Sequence, residues 1–257
     1  MTLTIEYVMP SRKRTHMMPS ALKLFPWANV YVHESEYDDY LAVVPADQLK
    51  THNITSGIAP IREAIVSGSE ADCVVSLDDD LLGVRSVLSK TGLITDPHYM
   101  KQIIDNAAYI TNDLGLNMFT FGISLNPMRV RADVDPINFT PMMHPPWGQI
   151  GKGKHYPCKH VSRHGDIELA FQAYKDSRVI YCDQRFVFEN TAQAAGMGGD
   201  VTNIGSKFTG YKDLYRDFKR RWGMYYQDRG NGELAGAPKV PRRNKLVNVR
   251  EYFPGDV

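Results

Sequence analysis

Cysteine is scarce: the 257 residues contain three, Cys73, Cys158 and Cys182, widely spaced and without a C-x-x-C pair. An odd number at such spacing fits reduced thiols, which excludes a disulfide framework and argues against redox chemistry as the function. Net charge is nearly absent too, with 30 basic against 29 acidic side chains. No window approaches the ~20 uninterrupted apolar residues that a membrane-spanning helix needs. The opening Met1-Thr2-Leu3-Thr4-Ile5-Glu6 has no basic segment leading into an apolar core, so the expected location is the cytoplasm. No internal repeat or low-complexity block is visible. A chain of this length buries roughly 70–75% of the surface its unfolded form exposes, so a stapled mini-fold is excluded and one soluble, enzyme-sized unit is expected.

The balanced total hides an asymmetry. Between Glu34 and Asp80 there are eleven acids and two bases, Lys50 and Arg62, whereas between Lys207 and Arg250 there are twelve bases and four acids. A basic stretch of that strength suits a polyanion, and it equally suits a solvated helix face followed by a loose terminus.

Apolar, β-rich runs bounded by Pro, Gly, Asn or Asp occur at Leu3–Met9, Val30–His33, Leu41–Val44, Cys73–Leu77, Met118–Ile123, Val179–Tyr181 and Phe186–Phe188. Helical spacing appears in Ile58–Val66, Pro97–Leu114, which stops at Gly115, and Asp166–Tyr174. Strands alternating with helices over the first ~125 residues predict parallel pairing through right-handed crossovers, an α/β Rossmann-like half with a less regular half after it. Asn138–Pro157, with Pro141, Pro145, Pro146 and Pro157, is expected to be loop or edge hairpin, because proline cannot donate to a central ladder.

The chemistry concentrates in Cys73-Val-Val-Ser-Leu-Asp78-Asp79-Asp80, a buried strand running into three carboxylates at its C-terminal end, where α/β sheets place ligands. On an extended backbone Asp78 and Asp80 project to one side and Asp79 to the other, so two carboxylates converge and repel unless a cation lies between them. Hard oxygen donors suit Mg²⁺ or Mn²⁺. An acidic, solvated turn is the plainer alternative. The first strand opens into Pro10-Ser11-Arg12-Lys13-Arg14, a proline turn with three cations suited to a nucleotide's base and phosphates. Arg62, early in its helix, is a third candidate contact, or else an ordinary surface arginine.

Taken in order, these features resemble the GT-A fold of nucleotide-sugar glycosyltransferases: a first strand ending in Pro10, Ser11, Arg12 and Arg14, a second followed by Glu34, a helix with Ile61-Arg62-Glu63-Ala64, and a strand closing on Asp78-Asp79-Asp80. Within that fold the chain is most similar to the TET-associated glycosyltransferases of bacteriophages, thought to glycosylate 5-hydroxymethylpyrimidines in phage DNA. The resemblance spans about residues 4–200. It implies that Asp78 and Asp80 hold a divalent metal (Mn or Mg), that Asp78 and Asp79 meet the sugar diphosphate, and that Pro10, Ser11, Arg12, Arg14, Glu34 and Arg62 bind the nucleotide. It further implies a domain over 1–205, with a nucleotide-sugar half at 1–125 and an acceptor half at 126–205, followed by a basic helix and tail at 206–257.

GT-A enzymes also tend to carry an acceptor-side acid in a pattern like Glu-Asp-x-Asp-Leu-Ser-Leu-Arg, which falls here on Gly165-Asp166-Ile167-Glu168-Leu169-Ala170-Phe171-Gln172. An acceptor hydroxyl has a very high pKa, so a carboxylate must take its proton; the resemblance puts that base on Asp166 and a second acid on Glu168. Gly165 and Gln172 depart from the pattern, and Asp166 can alternatively be read as the cap of a helix starting at Ile167. The implied reaction inverts the anomeric carbon. Many GT-A enzymes supply a late histidine to the metal, yet none here follows His164, so Asp200, Asn190 or water is expected to substitute.

Two clusters remain. His155, Cys158, His160 and His164 carry zinc-ligand chemistry at a spacing that matches no common finger, and with Lys152, Lys154, Lys159 and Arg163 they equally line a channel for a phosphate-bearing acceptor. Tyr211, Tyr215, Phe218, Trp222 and Tyr225 recur at helical spacing, more often a core stripe than a stacking platform, while Lys212, Arg216, Lys219 and Arg220 lie off that stripe and suit a DNA backbone. The expected function is transfer of a sugar, from a UDP donor in the first instance, to the hydroxymethyl group of 5-hydroxymethylcytosine or 5-hydroxymethyluracil in DNA, in a host cytoplasm if phage-encoded. Rival readings are the same chemistry on a glycan or protein acceptor, or a non-catalytic nucleic-acid-binding protein.

Overall fold

The structure, a computed structural model, describes residues 2–86, 92–122, 137–138, 143–158, 165–191, 220–222, 226–228 and 236–238. Its framework is one mixed sheet. Strands β1 (Ile5–Pro10), β2 (Asn29–His33), β3 (Leu49–His52) and β4 (Cys73–Ser76) are joined through α1 (Met18–Leu24), α2 (Tyr37–Leu41) and α3 (Ile58–Gly68). They lie parallel in the order β3-β2-β1-β4. Next come β5 (Leu81–Ser86), α4 (Pro97–Asp113), β6 (Met118–Gly122), β7 (Ile137–Asn138), β8 (Trp147–Ile150), α5 (Gly165–Ser177) and β9 (Ile180–Asn190). The sheet continues past β4 as β8-β6-β9-β5, with β8 antiparallel to both neighbours, β6 parallel to β9, and β7 also pairing with β9. A separate two-stranded pair joins β10 (Tyr226–Asp228) to β11 (Gly236–Pro238).

Helices cover both faces, and strand alternation says which. Tyr7, Met9, Cys73 and Val75 face a core with α1 and the Met100, Ile103, Ile104, Ala107 and Ala108 stripe of α4. Val8 and Val74 face the opposite way onto Ile61, Ile65 and Val66 of α3. A third cluster joins Ala59 of α3 to Trp147 and the Ile167, Ala170, Phe171 and Tyr174 side of α5. Because β4 lies across β1 from β2 and β3, the connectivity reverses between β1 and β4, and their C-terminal ends frame the crevice where such sheets bind ligands.

The parallel β/α alternation expected of the first half is present, and three individual assignments fail. Leu41–Val44 is no strand: Tyr40 and Val44 are buried while Leu41 and Val43 are exposed, the spacing of a helical turn running on from α2. Trp147–Ile150, expected as loop or edge, is a fully buried central strand. No proline falls between Pro146 and Pro157, which leaves Trp147–Ile150 free to form a rung between β4 and β6. The two runs at Val179–Tyr181 and Phe186–Phe188 are one strand, β9, with a register shift where Asp183 accepts the Arg185 backbone N–H and guanidinium.

Close packing at β8 gives a stability prediction. A Cβ on Gly148 would lie 1.9 Å from the ring of Phe119 across the β6–β8 pair, and Phe119 is itself wholly buried. Gly148→Ala is expected to lose about 2–3 kcal/mol in urea unfolding. Adding Phe119→Leu should return part of that loss; an unchanged midpoint for the single variant would refute the packing.

Candidate functional site

The crevice between β1 and β4 is built from the loop after β1, the Asp78–Asp80 turn and the start of α3. Val8 and Leu77 hold the two strand ends together, with Leu77 N–H donating to Val8 C=O at 2.9 Å. The chain then turns at Asp79 and Asp80 instead of running straight. This corrects the expectation that Asp79 faces away: Asp79 is the most enclosed of the three and accepts from Ser11 Oγ at 2.5 Å and Arg14 Nη1 at 2.7 Å. Ser11 is likewise buried and shared with Tyr40 at 2.9 Å. Ser11 and Asp79 therefore join the loop to the turn and do not present free polar atoms to a ligand.

Asp78 and Asp80 are differently placed. Asp78, with 31% of its side chain exposed, pairs with Arg62, whose guanidinium carbon stands 4.4 Å from the Trp147 ring centre. Trp147 is there because β8 pairs Trp147 with Ser76 at the end of β4. Asp80 is buried; its Oδ2 is 3.5 Å from Arg14 Nη1, and its Oδ1 meets no partner among the described residues. Arg62 Nε is a second buried atom with no partner there. Burial, then the charges of Asp78 and Asp79, push the Asp80 carboxyl up to about 6 against the pull of Arg14. Burial pushes Asp79 up too, opposed by Ser11 and Arg14. Burial works against the Arg14 charge, but Asp79, Asp80 and Asp78 outweigh it and hold that guanidinium protonated.

A buried carboxylate oxygen without a partner, beside two more carboxylates, is the donor chemistry a hard divalent cation meets. Among the described residues no three potential ligands close around one point. Asp78 and Asp80 would thus hold such an ion together with ligand phosphates, the usual arrangement for Mg²⁺. Asp200, the proposed extra ligand, lies outside the described residues.

Along the same sheet edge, Arg12 reaches Glu36 Oε1 at 3.5 Å, and Lys13 N–H donates to Glu36 Oε2 at 2.8 Å. Glu36 is buried while Glu34, the expected contact, is exposed in the short 3-10 turn after β2. His33 and His52, register partners on β2 and β3, stack edge to face at 5.8 Å. Burial, then His33 and Arg12, push the His52 imidazole down to about 4, so it is neutral at physiological pH. Sequence reading missed Glu36, Tyr40, His33 and His52. The acids there were visible only as a run, and Tyr40 stood beside a stretch assigned to a strand.

Asp166 lies inside the first turn of α5, not at a cap before Ile167, because the helix already starts at Gly165. Gly165 is where the GT-A pattern has an acid, and a Cβ there would come within 2.8 Å of the Ala59 Cβ, so the close approach of α5 to α3 accounts for the departure. Glu168, the second candidate, is 2% exposed and accepts from Arg221 Nη1 at 2.8 Å and Trp222 Nε1 at 2.9 Å. Trp222 stacks on Phe171 at 4.8 Å, which places this aromatic of the tail stripe inward. Glu168 is thereby an anchor for the C-terminal segment rather than an acid open to an acceptor. It contributes, with Gln172, Lys175, Arg220, Arg221 and Trp222, to the lining of a groove of about 600 Å³.

Of the expected DNA contacts, Lys154 is buried and gives its ammonium to the Ser69 and Ala71 carbonyls, so it is corrected to a structural lysine. Lys152 stays exposed near Asp176 at 3.0 Å, and Arg220 is exposed. Lys159, Arg163, Lys212, Arg216 and Lys219 lie outside the described residues. The zinc reading fails at Cys158, whose buried thiol donates to Ala59 C=O at 3.2 Å and is pushed up to about 12 by burial and then by Glu63. His160 and His164 are outside the described residues.

No family model and no curated protein sequence matches the chain. Solved structures similar to it include glucosyl-3-phosphoglycerate synthase from Mycobacterium tuberculosis in complex with Mn²⁺, UDP-glucose and phosphoglyceric acid, at 11% identity and a TM-score of 0.45, covering 74% of this chain and 73% of that one. A Pyrobaculum calidifontis mannosyltransferase in complex with GDP-Man and Mn²⁺ matches at 11% identity and a TM-score of 0.49, covering 72% of this chain and 55% of that one. S. aureus TarS 1–349 matches at 11% identity and a TM-score of 0.42, covering 70% and 57%. Among the described residues no helix is long and apolar enough to cross a membrane.

Proposed function

We propose that this chain is a metal-dependent glycosyltransferase of the GT-A type, taking a sugar from a nucleotide donor, of UDP type in the first instance, and placing it on the hydroxymethyl group of a 5-hydroxymethylpyrimidine in DNA. The observation that carries the reading is the buried Asp80 oxygen at the switch point of the sheet, without a partner among the described residues, with Asp78 and two arginines around it. Bound there with Asp78 and Asp80, a divalent ion would neutralise charge on the leaving diphosphate. Arg14 and Arg62 stand on either side of the turn to add to that neutralisation. Asp166 takes the proton of the acceptor hydroxyl as its oxygen bonds to the anomeric carbon, and the sugar–phosphate bond breaks with its electron pair leaving on the nucleoside diphosphate. A single displacement of this kind inverts the anomeric centre.

The DNA acceptor is supported by the basic 207–250 stretch and by Lys175 and Arg220 along the groove beside α5. The test is incubation with a panel of UDP- and GDP-sugars, Mn²⁺ and DNA containing 5-hydroxymethylcytosine or 5-hydroxymethyluracil, followed by nucleoside mass spectrometry. A hexose adduct is the expected result. Donor hydrolysis without any DNA adduct would move the acceptor to a glycan or protein, and neither hydrolysis nor adduct with any donor would overturn the enzyme.

A further inference from the structure

We infer that Tyr40 is a positioning residue of the donor site, locking the loop after β1 onto the aspartate turn; this rests on the proposed function for its catalytic meaning. Its phenol is 1% exposed and sits between two groups of that loop, 2.9 Å from Ser11 Oγ and 2.9 Å from the Arg14 backbone nitrogen. Proton inventory fixes the direction. Ser11 has one hydroxyl hydrogen, and it goes to Asp79 Oδ2, which beside Arg14 is an acceptor. Tyr40 must therefore donate to Ser11 Oγ while its oxygen accepts the Arg14 N–H. The result is a one-way chain from the Arg14 amide through Tyr40 and Ser11 to Asp79, and the Arg14 guanidinium closes it by bonding the other oxygen of the same carboxylate.

The loop needs such a hold. Lys13 has φ of 54°, in the left-handed region that costs a side-chain-bearing residue of order 1 kcal/mol. The two amides that would escape on relaxation are caught one after the other, Lys13 N–H by Glu36 and Arg14 N–H by Tyr40. Both catching groups come from the segment following β2, so that segment sets where Arg14 stands relative to Asp79 and Asp80 before a ligand arrives.

The test is Tyr40→Phe, which keeps the ring in its pocket and removes only the hydroxyl. Two readouts are taken on the full-length protein. Limited trypsin digestion reports the lock alone, because Arg12, Lys13 and Arg14 are three cleavage sites within it. At a temperature where parent and variant are equally folded, the variant should be cut at these bonds several-fold faster. Calorimetry with Mn²⁺–UDP and Mn²⁺–GDP reports the consequence: the nucleotide that binds the parent should bind Tyr40→Phe about three- to ten-fold more weakly, the scale of one or two lost hydrogen bonds. In a Ser11→Ala background the same change should have a smaller effect, since the chain to Asp79 is already cut. Trypsin cleavage at the parent rate, or equal effects in both backgrounds, overturns the inference. If the parent binds neither nucleotide, the donor-site reading fails while the digestion still decides whether Tyr40 holds the loop.

Discussion

Asp80→Asn should unfold at a higher temperature than the parent protein and transfer essentially no sugar. Both halves come from one carboxylate. Asp80 is buried, one of its oxygens has no partner among the described residues, two like charges lie near it, and its carboxyl is pushed up to about 6. For an acid whose folded pKa lies above its unfolded value, the folded state binds the extra proton, so stability is present below the unfolded pKa near 4 and is lost as pH rises through 6. At neutral pH the ionised side chain is a net cost. With Arg14 offsetting part of it, that cost is roughly 1–2 kcal/mol, and the amide removes it, raising the melting temperature by about 2–6 °C. Transfer should fall by roughly 10²–10⁴-fold, because the amide is a poorer donor to a hard cation.

Manganese separates this account from a merely unfavourable side chain. An ion bound through Asp78 and Asp80 stabilises only the folded state, so Mn²⁺ should raise the parent's melting temperature at pH 7.5 and do so far less at pH 5, where a proton competes for Asp80. In Asp80→Asn the ion should have little effect at either pH. Differential scanning calorimetry with and without Mn²⁺, alongside the transfer assay, makes the comparison. A variant that melts lower than the parent and still transfers sugar would remove the central support of the proposed function.

The part of this site that was legible in the sequence is the part encoded locally. Cys73–Leu77 is apolar at every residue but Ser76 because β4 is covered on both faces, and the switch to carboxylates at Asp78 marks the sheet edge without any tertiary knowledge. The direction of each carboxylate was not legible, since it depends on a turn at Asp79 that is held by Ser11 and Arg14, 68 and 65 residues away in the chain. Tyr40 was hidden for a related reason: Leu41 and Val43 look like strand residues but are exposed, and the apolar run that suggested a strand is a helical turn. Glu168 was singled out as an acid only because it falls on the second acid of the GT-A pattern. Its partners, Arg221 and Trp222, arrive from the C-terminal segment. The prolines around Trp147 misled in the opposite sense, since a central strand needs only the residues between them to be free of proline.

That difference between the two acids of α5 yields the second large effect. Asp166→Asn should lower sugar transfer by roughly 10²–10⁴-fold, the contribution of a positioned general base, while leaving donor binding and the melting temperature close to the parent's. Asp166 lies in the first turn of α5 and is only half-buried, so the isosteric amide fits, and loss of its charge from that turn costs about 0.3–1 kcal/mol. Glu168→Gln should behave the other way round. Glu168 is sealed under Trp222 with Arg221 on its carboxylate, and the neutral amide leaves that guanidinium facing a group without charge. The expected cost is about 1–3 kcal/mol of stability, with transfer by the folded fraction reduced much less than in Asp166→Asn. Because only a base lost from the transition state lowers transfer while donor affinity holds, the pair of variants, assayed for transfer, for Mn²⁺–nucleotide affinity and for thermal unfolding, assigns the roles. Should Glu168→Gln abolish transfer at unchanged stability while Asp166→Asn retains it, the base is Glu168 and the contact with Arg221 and Trp222 must open during turnover.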